Sequence, residues 1–497
     1  MSYDVIVIGG GMGGLTAAAL LARRGQRIVL LEQGERTGGY VTSFQRDGFT
    51  FDATGSFVGG CEEGGEFYLL LEQTGALPYL RFLGIETARN IYPDFRLDLH
   101  LHGGFEEYLS AVKKLFPHEQ KGFEGYFALL KRIGGEIRRF EQMTWWQMLL
   151  FPFFFRHLIR HERASVGAVM DRYFRDARIK QVLATLPAHL PPGRLSLLFT
   201  ATLISKVLSQ GVSYPEGGMG AIPQALEKAF VEAGGEVRLR TAAERIVVED
   251  GGVRGVIIRG GTFLAARTVV AAINIRQALV TLLPEEYGRR FARLVNSLEY
   301  SLSSFLVYLG VKMKLDRAAL PYFTYVSPKD TEVEYGSLIR GEMPDDPGMI
   351  MTIPTFLDSS LAPAGHHIVR LMTAAPYGFL NNWGGSDQSR YRVIKEEMAQ
   401  RLIRLAEERV IPGLARHCVV MEAATPCTLA RYTMNEAGAT YGLAPTPGQI
   451  GRGRPANKTA VPGLYLAGHY TRPAHGIVGA ALSGRFAAAM ISRAHRR

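Results

Sequence analysis

Gly9, Gly11 and Gly14 stand in G-x-G-x-x-G spacing inside the run GGGMGG, and Glu32 follows eighteen residues after the last of them. Each glycine has a physical task. The first makes a tight turn, the second lets backbone N–H groups approach a pyrophosphate, and the third lets a helix pack close on a sheet. An acid at this distance hydrogen-bonds a ribose hydroxyl and disfavours a 2′-phosphate, so the constellation predicts FAD or NAD and not NADP. The elements that must position it are legible on either side. Val5–Ile8 reads as a buried strand, Thr16–Arg24 as an Ala/Leu-rich helix stopped by Gly25, and Arg27–Leu31 as a second apolar strand. The helix N-terminus then faces the phosphates.

Other chemistry is sparse. Cys61, Cys418 and Cys427 have no C-x-x-C spacing, and His366-His367, the adjacent histidine pair, has no acid or thiol at ligand spacing, so no metal site is expected. No carboxylate pair or nucleophilic triad is evident. The chain has 497 residues, 47% of them hydrophobic, enough for two or three domains with a large core. Its net charge of +11 calls for an anionic partner. No nucleic-acid motif accompanies that charge, so a phospholipid surface is expected and nucleic acid is not.

The basic residues sit beside an apolar stretch. Trp145–Ile159 (WWQMLLFPFFFRHLI) is flanked by Arg138 and Arg139 before it and contains or precedes Arg156, Arg160 and Arg163. Its uninterrupted apolar part, Met148–Phe155, falls far short of the ~20 residues needed to span a bilayer. It reads as a segment lying in one leaflet near residues 140–163, against the alternatives of a core helix broken by Pro152 or a tunnel wall. A strand beginning by residue 3 leaves no room for a secretory leader. The expected location is therefore cytoplasmic and peripherally membrane-associated.

Along the chain, Asp47-Gly48 predicts a hairpin, and residues from about Glu66 to Ser205 read as mainly helical. Tyr214–Gly220 leads into a helix from about Ile222 to Ala233. Glu236–Arg240, Glu244–Val248 and Val253–Ile258 read as a small meander, and Thr268–Ala272 as a buried strand. Strands at Ser304–Leu309 and Ile368–Thr373 precede a helix near Tyr391–Arg409, with Ile394, Met398, Leu402 and Leu405 on one stripe. Gly463–Gly468 is a strand running into glycine, and Gly476–Ala489 a small-residue helix. The expected fold is α/β. A discontinuous Rossmann-like dinucleotide domain (1–75, 206–288, 445–497) is interleaved with a mixed sheet-plus-helix substrate domain (76–205, 289–444). No second glycine fingerprint is present in the sequence.

The N-terminal fingerprint, Gly38-Gly39, YPEGGMGAIPQAL and GLYLAGHYTRPAHGIVGAALSGR together resemble the flavoprotein amine-oxidase and phytoene-desaturase superfamily over essentially the whole length. FPHEQKGFEGYF (Phe116–Phe127), IPTFLDSSLAPAGHH (Ile353–His367) and the TP…RY…GATYG block (Thr425–Gly442) are similar to the carotenoid isomerases, with retinol saturases and bacterial phytoene desaturases near by. The resemblance implies an FAD site. Gly9, Gly11 and Gly14 would hold the pyrophosphate and Glu32 the adenosine ribose, with Gly38 and Gly39 passing along the pyrophosphate. Ala243 would offer backbone contacts to adenine, and Gly468, Gly476, Ile477 and Val478 would lie along the ribityl chain and isoalloxazine. Met12, Gly13, Gln33, Tyr40, Gly55 and Ser56 complete the expected cofactor set, together with His469. Three positions depart from the family pattern: Tyr40 stands where arginine is frequent, Ala243 where valine is, and His469 where an acid is.

The implied chemistry is hydride exchange between FAD and an allylic carbon of a long polyene or isoprenoid. Positioning and water exclusion would be the protein's main contribution. His469, His475, Arg431 and Tyr441 are the catalytic candidates, with Arg472 near them. A histidine there can shuttle a proton or simply hydrogen-bond the flavin or backbone, and Arg431 can instead anchor a turn. The expected activity is cis–trans isomerisation or desaturation of a carotenoid-type substrate, the latter needing a quinone or oxygen acceptor. The alternatives are a saturase of a retinoid-like or other lipid, an FAD amine oxidase, and a non-catalytic prenyl-lipid escort.

Overall fold

The computed structural model describes residues 2–101, 104–141, 154–183 and 190–495. Most of the expected leaflet segment, residues 142–153, lies outside the described residues.

Val5–Ile8 is fully buried at the centre of a five-stranded parallel sheet. The strand order is Glu236–Arg238, Ile28–Leu31, Val5–Ile8, Val269–Ala271, Leu464–Leu466. Apolar β-branched runs such as VIVI and IVLL suit strands covered on both faces. The chain turns out of the first strand at Gly9, whose φ of 99° is reached cheaply without a Cβ. It then enters the helix Met12–Ala22, every residue of which is buried. That helix lies against the C-terminal helix Gly476–Ala494, where Gly13 and Gly484 meet so closely that a Cβ on Gly484 would overlap the Gly13 carbonyl.

Two readings of the sequence need correction. Glu236–Arg238 pairs with Ile28–Leu31 at the edge of the parallel sheet, and the meander is Ala243–Glu249, Gly252–Ile258 and Phe263–Ala265. A turn at Leu239–Thr241 separates the two, and there Thr241 N donates to Glu32 O at 2.8 Å. The stretch expected to be mainly helical also holds three strands, Phe82–Gly84, Thr87–Ile91 and Arg96–His100. Their inward residues, such as Ala88, Asn90 and Leu97, alternate with polar outward ones, a weak signal beside the apolar helices that follow.

Thr87–Ile91 and Arg96–His100 form one edge of a seven-stranded mixed sheet. From the other edge the order is Cys418–Ala424, Ser303–Val311, His367–Ala375, Met349–Thr352, Phe323–Val326, Thr87–Ile91, Arg96–His100. The helix Gln388–Arg409 covers one face through Ile394, Met398, Ala399, Leu402, Ile403 and Ala406. Leu405 is only partly buried. The remaining helices, Gly104–Leu115, Gln120–Glu141 and Leu197–Gln210 among them, enclose a separate aromatic core that includes Phe116, Phe123, Phe127 and Phe174. The expected hairpin forms from Ser43–Arg46 and Phe49–Asp52.

Candidate functional site

One cavity of about 1270 Å³ runs between the parallel sheet and the mixed sheet. It exceeds the ~300–1,000 Å³ of ordinary small-ligand pockets, leaving room for a dinucleotide and a second large molecule. Its first stretch is lined by Glu32, Gln33 and Ala243, with Thr241 and Arg259. Glu32 Oε2 accepts from Gly10 N at 2.8 Å and Oε1 from Gly34 N at 2.7 Å. The carboxylate is thus fixed at the strand end, with lone pairs left for a ribose hydroxyl.

The next stretch is lined by Gly9, Gly11, Met12, Gly13, Gly38 and Gly39. A Cβ built on Gly11 would have nothing within 4 Å, and the same holds for Gly468 and Gly476 farther along. These bare positions face open cavity, so a pyrophosphate and ring system can reach the backbone N–H groups. Gly14 lies behind the loop, where a Cβ would overlap the Gly9 carbonyl. Tyr40, in place of the frequent arginine, lines the cavity and donates its hydroxyl to Ala439 O at 3.0 Å. It therefore ties the glycine loop to the segment after the Pro426–Thr433 helix.

The third stretch gathers Gly468, His469, Gly476, Ile477 and Val478 with Gly55 and Ser56. His469 has Gly442 against one side and the Tyr470 ring centroid 4.5 Å from its own. Burial, and then the nearby Arg454 guanidinium, bring its pKa down to about 3. His475 stands at the N-terminal boundary of the Gly476–Ala494 helix without a side-chain capping bond, its ring centroid 4.7 Å from that of Phe199 and 5.1 Å from that of Tyr441. Its Nδ1 is enclosed without a hydrogen-bond partner, and burial, Arg454 and His469 hold its pKa well below the usual histidine range. Both imidazoles are therefore neutral near pH 7, the form that can accept a proton or a hydrogen bond. Tyr441 lines the same stretch, its phenol pushed up by burial.

Arg431 is corrected. It lies on the exposed face of the Pro426–Thr433 helix with its guanidinium 4.8 Å from the Tyr432 ring centroid, and it does not line the cavity. Arg472 does line it, while donating Nε to Arg454 O at 3.1 Å and Nη2 to Arg452 O at 2.9 Å. Among the described residues no group of three His, Cys, Asp or Glu side chains converges on a metal position.

Beyond the third stretch the cavity continues as an apolar arm. Phe323, Ile350 and Met372 project from three neighbouring strands of the mixed sheet, and Phe57, Phe199 and Leu203 line the same space, the Phe57 ring centroid 5.9 Å from that of Phe323. The arm reaches Ile137, Leu158 and Ile159, on the helices either side of residues 142–153. The spacing of Phe199 and Leu203 on one helix face was readable from sequence. Phe323, Ile350 and Met372, scattered over fifty residues, carried no such signal. Two buried arginines were missed as well. Arg370 is 3% exposed and donates Nη1 to Gly55 O at 2.5 Å and Nη2 to Ser56 Oγ. It thereby pins the cavity-lining 53–56 loop to the mixed sheet. Arg454 is 1% exposed, in a Gly-Arg-Gly-Arg-Pro stretch that reads as a surface turn.

Comparison with known proteins places this geometry. The chain is 30% identical to prolycopene isomerase 1, chloroplastic, of an Oncidium hybrid cultivar, over 97% of its own length and 82% of the relative's. It is 26% identical to the neurosporene-forming phytoene desaturase of Rhodobacter capsulatus, over 98% and 93%. Cyclohexylamine oxidase from Brevibacterium oxydans has the same fold, with TM-score 0.64, 16% identity and full coverage of both chains. The flavin containing amine oxidoreductase family matches residues 12–492, so the chain belongs to that family and is an FAD-dependent oxidoreductase.

Proposed function

We propose that the protein acts on a carotenoid-type polyene, isomerising its double bonds, with desaturation as the second reading. The observation that carries this is the continuity of the apolar arm with the flavin stretch. A long hydrocarbon seated among Phe57, Phe199, Leu203, Phe323, Ile350 and Met372 would reach the residues expected along the isoalloxazine. The named activities of the isomerase and desaturase relatives point the same way.

FAD supplies hydride acceptance and return at this junction. The chain's residues do the rest. Glu32, Gly11, Gly39 and Gly468 would hold the cofactor, while Arg370 fixes the cavity-lining loop through Gly55 and Ser56. The neutral His475, between Tyr441 and Phe199, closes the wall where the two compartments meet. Apolar side chains exclude water, which prevents side reactions of a reactive polyene. An amine oxidase would need polar groups to orient a cation in the arm, whose walls are mainly hydrocarbon and aromatic, with Glu66 and Glu162 also lining the cavity.

The polyene is taken from a lipid surface in this reading. Ile159, 45% exposed, lies at the outer end of the arm beside the exposed Arg156 and Arg160, an apolar and cationic rim suited to a leaflet. No described helix is long and apolar enough to cross a membrane.

The test is an anaerobic incubation of the liposome-bound protein, FAD either oxidised or pre-reduced, with cis-polyenes, followed by product mass and geometry. A new geometric isomer of unchanged mass, formed only with reduced FAD, supports isomerisation. Loss of hydrogen with oxidised FAD would move the assignment to desaturation, and gain of hydrogen with reduced FAD to saturation. No polyene turnover in any state would sink the proposal.

A further inference from the structure

Arg454 is a buried cation without a buried anion. Its Nε donates to Thr471 O at 2.8 Å and its Nη2 to His469 O, while Nη1 is enclosed and has no hydrogen-bond partner. Among the described residues no carboxylate forms an ion pair with it. The groups around it add no negative charge, since His469 and His475 are neutral and Arg472, bonded to the Arg454 carbonyl, is a second cation. Taking an uncompensated guanidinium out of water carries a heavy desolvation penalty. Burial lowers its pKa only to about 9, so the charge persists at neutral pH. The two carbonyls it holds belong to the Gly468–Arg472 turn, which forms the cavity wall where the flavin ring is expected.

We infer that Arg454 is the fixed counter-charge for the reduced cofactor, stabilising it as an anion behind the Gly468–Arg472 wall. A hydride leaving an allylic carbon carries two electrons and one proton to FAD. The substrate is left one unit more positive and the ring system one unit more negative unless a second proton follows. The neighbouring imidazoles, being neutral, are poor sources of that proton, and the apolar arm excludes water. A buried positive charge bonded to the backbone of that wall then favours the anionic ring, keeping the electron pair on the protein until it is returned. Arg454 acts through the field it imposes and through the turn it holds. The inference rests on the hydride chemistry proposed above, but its test contains no polyene. A failed potential measurement therefore leaves the isomer assay standing, and the reverse is also true.

Three variants decide it, each purified with FAD: R454M and R454Q remove the charge, and R454K keeps it. The midpoint potential is measured by dye equilibration at pH 6, and the absorbance of the dithionite-reduced protein is followed from pH 6 to 9 to find where the reduced flavin passes from neutral to anionic. Loss of charge should weaken the preference for reduced over oxidised FAD at least tenfold, which is about 30 mV for a two-electron couple. It should also raise the neutral-to-anionic transition by about one pH unit or more. R454K should match the unsubstituted protein at pH 6. One folded neutral variant is enough for the comparison. A neutral variant with unchanged potential and transition overturns the inference. So does an R454K protein displaced as far as the neutral variants, because the role would then be geometric.

Discussion

Gly442 lies against the His469 imidazole so closely that a Cβ on it would come within 2.7 Å of Cδ2, and its φ of +71° is one that alanine adopts only under strain. The two residues lock each other. Gly442→Ala is expected to cost about 1–3 kcal/mol of stability from strain and overlap and to turn the imidazole from its place on the cavity wall. Denaturant unfolding and the FAD absorbance of the purified variant check this. A variant with unchanged midpoint and full flavin content would show that the ring yields without consequence.

Gly11 and Gly14 separate cofactor binding from folding. A methyl group at Gly11 meets no protein atom and projects into the path expected for the pyrophosphate. Gly11→Ala should therefore fold normally yet lose FAD affinity by about tenfold or more, the loss of ~1.4 kcal/mol expected from pushing one close backbone contact apart. Gly14→Ala collides with the Gly9 carbonyl and should lower stability and flavin content together. Flavin titration of the apoproteins, read beside their melting temperatures, distinguishes the two patterns.

His469 makes stability depend on pH in a defined direction. Its folded pKa of about 3 lies below the ordinary 6.5, so the unfolded chain binds the proton more readily. The contribution is complete above pH 6.5 and is lost as pH falls from there toward 3, at up to about 1.4 kcal/mol per pH unit. His475 is shifted in the same direction and adds to the slope. Unfolding free energies measured between pH 7 and 4 should fall less steeply in His469→Asn than in the unsubstituted protein. Equal slopes would mean that the imidazole is not held neutral.

Arg370 joins the mixed sheet to the 53–56 loop. Beside it lies Asp52, which accepts from Tyr214 Oη at 2.5 Å, Met219 N at 2.7 Å and Ser43 Oγ at 2.8 Å. Arg370→Met takes the buried donor away from the Asp52 and Gly55 carbonyls and the Ser56 hydroxyl, and a buried acceptor left unsatisfied typically costs about 1–3 kcal/mol. The expected result is a large drop in unfolding free energy. If the protein still binds FAD, it should show a broadened product distribution, because a loop lining the cavity is loosened. Chromatographic product ratios and denaturant unfolding test both parts.

The division between what was readable and what was not follows the range of the interactions. Gly9, Gly11, Gly14 and Glu32 act within one strand–helix–strand unit, so their spacing carries their geometry. The Asp47-Gly48 hairpin was legible for the same reason. Phe323, Ile350 and Met372 become neighbours only through strand pairing across the mixed sheet, and nothing local marks any of them. Glu236–Arg238 looked like the first strand of a meander because its partner, Ile28–Leu31, is two hundred residues away. Arg431 and Arg454 show the limit for charged side chains. One lies in a family-like block and faces solvent, while the other lies in a glycine-rich turn and is almost wholly enclosed. Sequence pattern does not reveal desolvation.

The contact between Gly13 and Gly484 also sets a timetable. The first helix is buried on its outer side by the last one, and the fifth strand of the parallel sheet comes only at Leu464–Leu466. At the ~5–20 residues per second of synthesis, the fingerprint waits on the order of half a minute to a minute or more for the partner that covers it. During that interval an apolar helix and an open sheet edge are exposed on the ribosome. The cofactor cradle is therefore completed only by the last-made strand and helix, and a cofactor present early has no complete cradle to enter.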